Sequence, residues 1–286
     1  MDLKEILKEI ENLETEKKKF QLDDLDYGEI VSLSINDNIY GLLKVREHIG
    51  EVVKVANMWA KALGGGGRVV MVGAGTSGRL AIMEAAEMFP TFGIGRDRVL
   101  GFIAGGKNSV FASKEGAEDN ITAGKRLVKR LKLSKKDLLI GLSASGRTPY
   151  VKGAIDMAKV LNCPTALIST NPKERVLIKA DVNICVNVGS EILPGSTRMK
   201  SATVQKVILN TISLLGAVIL GRVKRGRMVD LVPTSGKLRA RAIKTLVEEF
   251  SLEYDEAVKL LEKTGWNLRL AFEIMEGKDA DNGRKV

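Results

Sequence analysis

The stretch Arg68-Val69-Val70-Met71-Val72-Gly73 is a short, continuous apolar run, and it leads directly into Ala74-Gly75-Thr76-Ser77-Gly78-Arg79. The four glycines at positions 64–67 separate this run from the residues before it. A run of this length is typical of a strand that is buried on both faces of a parallel sheet. Apolar residues at helical spacing follow, which predicts a helix that Thr76 or Ser77 caps. A buried strand, a glycine-rich turn and a helix form the unit from which α/β sheets are built.

Four further apolar runs continue the pattern toward the C-terminus. They cover residues 99–104, 137–142, 164–169 and 182–188, with helical patterns after the first two of them. Short strands that alternate with helices are typical of a parallel sheet covered on both sides. We therefore predict an α/β fold in which a five-stranded parallel sheet carries helices on both faces.

The rest of the chain is predicted to be mainly helical. Residues 1–62 carry apolar residues at helical spacing and are expected to pack on the core that residues 63–235 form. Residues 236–276 predict a small helical subdomain, and the polar residues 277–286 predict a flexible tail.

The composition of the 286 residues indicates a cytoplasmic protein with an anionic small substrate. No run approaches ~20 apolar residues, and the charged N-terminus lacks the apolar core of a signal peptide. The net charge is +10, but Lys and Arg are scattered among acidic residues and only 5% of residues are aromatic. We therefore expect no nucleic-acid partner and no membrane. Cys163 and Cys185 lie in apolar runs without metal-ligand spacing, as is usual for free thiols in a reducing compartment.

Two predicted strand-to-helix loops are suited to binding an anion. The first is Gly73-Ala74-Gly75-Thr76-Ser77-Gly78-Arg79, and the second is Ser143-Ala144-Ser145-Gly146-Arg147-Thr148-Pro149. Each combines glycines, hydroxyl donors and a helix N-terminus, and each contains an arginine that can pair with phosphate or carboxylate. At the carboxyl end of a parallel sheet, such loops form the ligand site.

The spacing of Gly73, Gly75 and Gly78 also matches a dinucleotide-binding fingerprint. That fingerprint needs an acidic residue about 20 residues later, at the end of a second strand. The chain has Pro90-Thr91-Phe92-Gly93 instead, and it has no Gly-Lys-Ser/Thr phosphate loop. We therefore expect no cofactor.

The residues available for acid-base chemistry are mainly carboxylates. His48 is the only histidine and lies in a helical pattern outside both loops. A cysteine or serine nucleophile therefore lacks the histidine that would activate it, and a zinc site lacks ligands. Glu87, Glu118 and Glu191 follow the first, second and fifth predicted strands. The pattern alone does not choose among these three glutamates.

Several motifs resemble the N-acetylmuramic acid 6-phosphate etherase family, and together they extend over residues 15–245. They are Gly73-Ala74-Gly75-Thr76-Ser77-Gly78-Arg79-Leu80, Glu87-x-x-Pro90-Thr91-Phe92-Gly93, Glu115-Gly116-Ala117-Glu118-Asp119, Ala144-Ser145-Gly146-Arg147-Thr148-Pro149-Tyr150, Ser196-x-Arg198-Met199-Lys200 and Met228-Val229-Asp230. The resemblance implies a sugar isomerase (SIS) domain, a homodimer, and a lyase that needs no metal and acts in peptidoglycan recycling. Such an enzyme releases D-lactate from the C3 ether of a phosphorylated amino sugar.

The resemblance also implies roles for individual residues. Glu87 would be the catalytic acid, and Glu118 would act on the proton at C2. The remaining expected substrate-binding residues are the hydroxyls Ser143, Ser145 and Thr148 with Arg147 for the phosphate, Thr76, Ser77 and Arg79 for the sugar and lactyl end, and Glu191, Arg198 and Lys200 after the fifth strand.

The sequence departs from the family pattern at several positions. Lys19 and Leu22 replace an Asn and a Ser, Met88-Phe89 replaces Cys-Pro, and Ser235-Gly236 replaces Asn-Glu. Two other functions therefore stay open. A sugar-phosphate isomerase of the same fold would use Glu118 or Glu191 as its base, and a non-catalytic sensor would bind the sugar phosphate without turning it over.

Overall fold

The computed structural model describes residues 21–282, and its side chains as far as residue 277. Lys19 and the helical pattern predicted for the first twenty residues lie outside this part of the chain. Five parallel strands form the central sheet in the order β2-β1-β3-β4-β5. The strands are β1 (Val69–Gly73), β2 (Val99–Ile103), β3 (Leu138–Leu142), β4 (Thr165–Ser169) and β5 (Val182–Cys185). The predicted α/β fold is confirmed.

The strand register brings three strand ends to the same level. Gly73 at the end of β1 pairs with Ile103 of β2 on one side and with Leu142 of β3 on the other. The loops that follow these three strands therefore emerge side by side at the carboxyl edge of the sheet.

Helices cover both faces of the sheet. They are α1 (Tyr27–Val45), α2 (Ile49–Gly64), α3 (Gly75–Phe92), α4 (Ile121–Leu131), α5 (Pro149–Val160) and α6 (Lys200–Ile219). Alternate residues of β1 point to opposite faces: Val69 and Met71 pack with α2, α3 and α6, whereas Val70 and Val72 pack with α4 and α5. The sheet is thus the middle layer of three, with a core on each side.

The start of α3 differs from its prediction. The helix begins at Gly75 with Ala74 as its N-cap residue, and no side chain makes a capping hydrogen bond. Thr76 and Ser77 lie in the first turn, so neither of them caps the helix. The helix predicted after residue 104 also begins later, because a 3-10 turn (Lys107–Val110) and an irregular segment precede Ile121.

Helix α6 is the one helix of the described residues that is long and apolar enough to cross a membrane by length and composition. Half of its most apolar window is buried inside the protein, where Val204, Ile208 and Ile212 join the core beneath the sheet. The core accounts for the buried half of this helix.

The C-terminal helices form a subdomain with its own core. They are α7 (Gly236–Phe250), α8 (Tyr254–Lys263) and α9 (Leu268–Asn282), preceded by a hairpin of β6 (Val223–Lys224) and β7 (Arg227–Met228). Ser235 caps α7 by accepting the Leu238 N–H, and Leu246, Leu261 and Phe272 fill the centre. Helix α9 ends at Asn282, six residues beyond the boundary predicted at residue 276.

Asp230 joins the subdomain to the sheet domain. Its carboxylate accepts hydrogen bonds from Arg269 Nε of α9, at 2.6 Å, and from Arg222 Nη1 near the end of α6, at 3.1 Å. The Arg269 guanidinium also donates to the Gly221 carbonyl at 2.6 Å. Because the carboxylate is only 12% exposed, one anion neutralises two arginines with little help from water.

Asp230→Asn is therefore expected to lower the free energy of unfolding by about 1–3 kcal/mol, since two partly buried guanidinium groups lose their counter-charge. Urea unfolding followed by circular dichroism measures the change. Glu248→Gln is the control, because Glu248 pairs with Arg227 at the surface and its loss should cost less than about 1 kcal/mol. Equal losses in the two variants would contradict the linking role of Asp230.

Candidate active site

The sheet has its topological switch point between β1 and β3. From β1 the chain crosses through α3 to β2 on one side, whereas from β3 it crosses through α5 to β4 on the other. The two connections leave in opposite directions and open a crevice at the carboxyl ends of these strands. In open α/β sheets this crevice is where ligands bind. Both loops predicted to bind an anion border it.

Three hydroxyl groups converge in the loop after β3. Ser143 Oγ lies 2.8 Å from Thr148 Oγ1 and 3.4 Å from Ser145 Oγ, and Ser145 Oγ accepts the Arg147 N–H. Pro149 is the first residue of α5 and has no N–H group, and the Tyr150 N–H already donates to the Glu118 carbonyl. The hydroxyl groups are therefore the main donors of the loop, and α5 adds the positive end of its dipole. The arrangement offers hydroxyls and a helix N-terminus to an anion.

Gly146 allows the loop to turn back over these hydroxyls. Its φ of +68° is in the left-handed region, and a Cβ there would lie 2.6 Å from Val176 Cγ2. Arg147 follows it, and its Nε donates to the Arg175 carbonyl at 3.1 Å. The guanidinium is therefore held beside the 3-10 turn Lys173–Arg175, at the flank of the hydroxyl cluster.

The loop after β1 is tied to α6. Ser77 Oγ donates to Gln205 Oε1 at 2.8 Å, and Gln205 is only 1% exposed. Gln205 Nε2 is buried and has no hydrogen-bond partner among the described residues. Thr76 is half-buried in the same helical turn. Sequence patterns gave no role to Gln205, because a glutamine within an apolar helical run carries no chemical signature.

Arg79 holds the segment after β2. Its Nε donates to the Val110 carbonyl at 2.7 Å and its Nη2 to the Ser109 carbonyl at 2.9 Å. These bonds fasten the 3-10 turn Lys107–Val110 against α3. Arg79, which was predicted to bind substrate, thus also has a structural role, since its guanidinium holds this turn in position.

Glu118 lies on the rim of a cavity of about 140 Å³ between the loop after β1 and the segment after β2. Its backbone carbonyl accepts the Tyr150 N–H at 2.9 Å, which fixes the segment to the start of α5. Partial desolvation, and then repulsion from Asp119 and Glu115, raise the pKa of the Glu118 carboxyl above its ordinary value. A carboxylate with a raised pKa is a stronger base than a free glutamate.

A second cavity, of about 320 Å³, lies on the other side of the hydroxyl cluster. It is bounded by Ser145, by Asn171 after β4 and by the residues from Gly189 to Thr197 after β5. Asn171 Nδ2 donates to the Ser145 carbonyl at 3.2 Å and so joins the loops after β3 and β4. This second cavity therefore borders the hydroxyl loop directly, whereas the Glu118 cavity borders the loop after β1.

Glu191 and Lys200 have structural partners at this second cavity. Glu191 is 5% exposed, and its two carboxylate oxygens accept the N–H groups of Lys200 and Ser201 at 2.9 and 2.8 Å, which caps α6. Lys200 is 2% exposed, and its Nζ donates to Asp37 Oδ1 of α1 and to the Ser190 carbonyl, both at 2.8 Å. Of the three residues predicted here, Arg198 alone has an exposed side chain.

Glu87 does not meet Glu118 within one chain. It lies twelve residues after Gly75 and eight after Arg79, which both line the Glu118 cavity, and a helical rise of 1.5 Å per residue puts it about 12–18 Å along the axis from them. Its side chain is exposed. The Glu118 cavity lies at the carboxyl ends of the strands, whereas α3 carries Glu87 toward their amino ends.

The carboxylate that is buried in α3 is Glu84, one turn before Glu87. It accepts hydrogen bonds from Ser213 Oγ at 2.6 Å, Asn210 Nδ2 at 2.9 Å and Lys206 Nζ at 3.1 Å, all on α6. These contacts and the Ser77–Gln205 bond make α3 and α6 run side by side in the same direction. Sequence reasoning missed Glu84, because its partners lie more than 120 residues later in the chain.

No cluster of three or more metal-ligating side chains occurs in the described part of the chain. His48 lies in a 3-10 turn (Arg46–His48) before α2, apart from both cavities.

Known proteins are similar to this chain in sequence over most of its length. The family model described as the glucokinase regulatory protein N-terminal SIS domain matches residues 49–159. A Listeria welshimeri protein named N-acetylmuramic acid 6-phosphate etherase is 38% identical over 265 residues, which span 92% of this chain and 90% of that protein. A Yersinia pestis protein of the same name is 43% identical over 242 residues, or 84% of this chain and 82% of that protein.

The chain belongs to the N-acetylmuramic acid 6-phosphate etherase family. The predicted family and the SIS fold are thereby confirmed. A phosphoheptose isomerase from Neisseria gonorrhoeae shares the fold, with a TM-score of 0.50 and 18% identity over 68% of this chain and 99% of that one. At this identity the likeness concerns the fold alone.

Four of the departures from the etherase family pattern, at Leu22, Met88, Phe89 and Ser235, lie in the described part of the chain and away from the two cavities. Met88 is buried in the core, and the ring of Phe89 stacks under the Arg96 guanidinium at 4.4 Å. Ser235 caps α7, and Leu22 lies in a 3-10 turn before α1. None of these four residues lines either cavity.

The Glu118 carboxyl is expected to titrate above the value of 4.5 that is normal for glutamate. Carbon-13 NMR titration measures this pKa, with the Glu118→Gln spectrum assigning the signal. Asp119→Asn should lower the pKa only part of the way to 4.5, because desolvation is the larger cause and remains. A Glu118 pKa at or below 4.5 in the unmodified protein would overturn this description of the rim.

Proposed function

We propose that this protein cleaves the C3 D-lactyl ether of N-acetylmuramic acid 6-phosphate and forms N-acetylglucosamine 6-phosphate and D-lactate. The observation that carries the proposal is the meeting of two hydroxyl-bearing loops and the Glu118 cavity at the switch point of the sheet. Membership in the etherase family supports it, because matches of 38–43% identity extend over most of the chain. A cytoplasmic location remains part of the proposal, supported by two buried free thiols.

The phosphate group is proposed to bind in the loop after β3. Hydroxyl donors from Ser143, Ser145 and Thr148 and the N-terminus of α5 suit a dianion. The sugar would then extend toward Thr76 and Ser77 on one side or toward the rim residue Arg198 on the other. The Glu118 cavity supports the first direction, since it places a basic carboxylate beside the loop after β1.

The chemistry needs a base near C2 and an acid near C3. Opening of the sugar ring exposes the C1 aldehyde, which acidifies the C2 proton that Glu118 removes. Protonated Glu87 gives its proton to the departing lactyl oxygen, and the C3–O bond breaks to leave an unsaturated aldehyde. Water then adds at C3 with Glu87 as base, and C2 regains a proton. These steps use carboxyl groups of the chain alone.

A homodimer would bring the two glutamates together. Within one chain about 12–18 Å of helix lies between Glu87 and the residues of α3 that line the Glu118 cavity, so we propose that Glu87 from a second copy completes each site. In a two-fold dimer the contact is reciprocal, and two equivalent sites result.

The surface around Glu87 suits such a partner. Met83, one turn earlier on α3, is 42% exposed, and Leu214 on the adjacent α6 is 53% exposed. A further apolar stripe runs along α1 at spacings of four residues, formed by Tyr27, Val31, Ile35, Ile39 and Leu43. Exposed apolar surfaces of this extent are typical of protein contacts.

The two other functions differ in measurable ways. A sugar-phosphate isomerase with Glu191 as its base is disfavoured, because both oxygens of that carboxylate accept N–H groups of α6. Incubation of the purified protein with N-acetylmuramic acid 6-phosphate in deuterated water, followed by NMR and a D-lactate assay, separates the remaining functions. Lactate with deuterium at C2 supports the etherase. Exchange without lactate indicates an isomerase-type site, and binding without either indicates a sensor.

Glu118→Gln is expected to reduce deuterium exchange at C2 by about 10²–10⁴-fold, the usual contribution of a general base. Glu87→Gln should slow lactate release by a similar factor while it slows C2 exchange much less, since the acid acts on the leaving group. Glu115→Gln is the comparison: it removes the smallest of the three causes that raise the Glu118 pKa and keeps the base itself, so its loss of exchange should be far smaller than that of Glu118→Gln. Unchanged exchange in Glu118→Gln would rule out this base.

Ser145→Ala is expected to weaken binding of N-acetylglucosamine 6-phosphate by about 1–3 kcal/mol, the scale of a hydrogen bond to a charged group. Calorimetry with the phosphorylated and unphosphorylated sugars shows whether the loss concerns the phosphate. The control Thr122→Val removes an exposed hydroxyl from α4, outside the loop. If Ser145→Ala binds as tightly as the unmodified protein, the phosphate lies elsewhere.

Co-expression of Glu87→Gln and Glu118→Gln chains tests the shared site. If each site takes one glutamate from each copy, half of the dimers contain one intact site, and activity should recover to about a quarter of the unmodified level. Co-expression of Glu118→Gln with the double variant Glu87→Gln/Glu118→Gln is the control and should stay inactive. An inactive test mixture would mean that both glutamates serve the same chain's site.

A further inference from the structure

A cavity of about 660 Å³ opens at the amino ends of the strands, on the edge of the sheet opposite the candidate active site. Its walls are the last turns of α2, the segment before β3 and the turn between α5 and β4. This volume is within the range of roughly 300–1,000 Å³ that is common for small-molecule sites. Because the sugar site lies at the carboxyl ends, nothing in the proposed etherase reaction uses this cavity.

Four lysines surround the cavity. Lys61 comes from α2, Lys135 and Lys136 from the segment before β3, and Lys159 from the end of α5. Lys159 Nζ donates to the backbone carbonyl of Lys179 at 3.3 Å, which leaves its charge uncompensated. Among the described residues, no carboxylate forms an ion pair with any of the four.

The two carboxylates that line the cavity are already engaged. Asp137 is buried and accepts hydrogen bonds from Arg68 Nε, Arg68 N and the Ser134 N–H and hydroxyl. Burial alone would raise the pKa of Asp137, but these bonds outweigh it and hold the pKa below the ordinary value. Asp181 Oδ2 accepts from the Thr165 N–H and hydroxyl, both at 2.8 Å. Arg68 neutralises Asp137, so the negative charge that remains against the four lysines is that of Asp181, and the cavity keeps an excess of positive charge.

The floor of the cavity is apolar. It consists of Met58 and Ala62 from α2 and of Cys163 and Pro164 before β4. Burial raises the pKa of the Cys163 thiol to about 12, so that this side chain stays uncharged at neutral pH. An apolar floor beneath a cationic rim suits a ligand with two different ends.

The run of glycines before β1 shapes one wall. A Cβ on Gly67 would lie 1.9 Å from the backbone carbonyl of Lys136, so only glycine lets the turn after α2 pass the segment that carries Lys135 and Lys136. The Gly67 N–H donates to the Ala62 carbonyl at 2.8 Å, and Gly66 has a φ of +79°. The close approach of these two segments sets the positions of three of the four lysines.

We propose that this cavity binds a small organic phosphate with an apolar body, the phosphate facing the lysines and the body lying on the floor. Lysine ammonium groups bind phosphate as point charges, and several around one cavity match a dianion. An inorganic anion would leave the floor unused, and an uncharged apolar compound would leave the lysines unpaired. The site is thus distinct in place and in chemistry from the sugar-phosphate loop.

Isothermal titration calorimetry with 1-naphthyl phosphate tests the proposal. All titrations contain saturating N-acetylglucosamine 6-phosphate to occupy the sugar site. Lys135→Gln/Lys136→Gln should weaken the affinity for 1-naphthyl phosphate by about tenfold or more, because two of the four charges are lost. The control Lys237→Gln/Lys259→Gln removes two exposed lysines from α7 and α8 and should bind as the unmodified protein does. Titrations with 1-naphthol and with inorganic phosphate should each give weaker binding than 1-naphthyl phosphate.

Two results would overturn the proposal. They are the absence of 1-naphthyl phosphate binding at concentrations up to about 1 mM, and equal weakening in the cavity and control variants. Both double variants keep the same sugar site, so their comparison is valid whether or not the protein is an etherase. Both should also keep the circular-dichroism spectrum and the unfolding midpoint of the unmodified protein, which verifies that they fold.

Discussion

The parallel pairing of β1 with β2 and β3 is the constraint on which the candidate site depends. Gly73, Ile103 and Leu142 occupy the same level in three neighbouring strands, so the loops that follow begin beside one another. Because all five residues of β1 and of β3 are buried, a shift of register by one residue would exchange their side chains between the two cores and disrupt the packing of both. The positions of the hydroxyl cluster and of Glu118 are thus set by strand pairing before any ligand contributes.

Polar contacts in the helical layer then hold the loops in place. The Ser77–Gln205 bond and the three partners of Glu84 connect α3 to α6 along their length, and Glu191 fixes the start of α6. Such contacts inside a protein act cooperatively, because each buried polar group depends on its partner. The outer part of the site is made differently: Arg79 binds backbone carbonyls, and Glu118 stays at the rim where solvent and substrate can reach it.

The fold and the two loops could be predicted because their signals are local. The strands β1 and β3 are continuous apolar runs of five residues, and the glycines and hydroxyls of the two loops follow them directly. The separation of Glu87 from Glu118 could not be predicted, since a motif gives the order of residues and not the direction in which a helix carries them. The structural roles of Glu84 and Gln205 were not predicted, and Lys200 was predicted to bind substrate, for a related reason. Their partners lie far along the chain, and a charged residue in a helical run has the same pattern whether it is solvated or buried.

The ion pair of the buried Lys200 ammonium also limits where the chain could be divided into separate domains. Its counter-charge, Asp37, belongs to α1, and Gly41 of that helix leaves room for the stem, since a Cβ there would lie 2.7 Å from Lys200 Cγ. A fragment cut at residue 63, where sequence composition separates the helical segment from the sheet, would keep the cation and lose its anion. The same cut removes Val55 and Trp59 of α2 from the core that they share with Ile208 of α6, and each large apolar side chain taken from a core costs about 1.5–3 kcal/mol, a sizeable part of the whole stability of many domains. Residue 63, where the composition changes, is therefore not a position at which recombination or truncation can divide the chain into two independently stable parts.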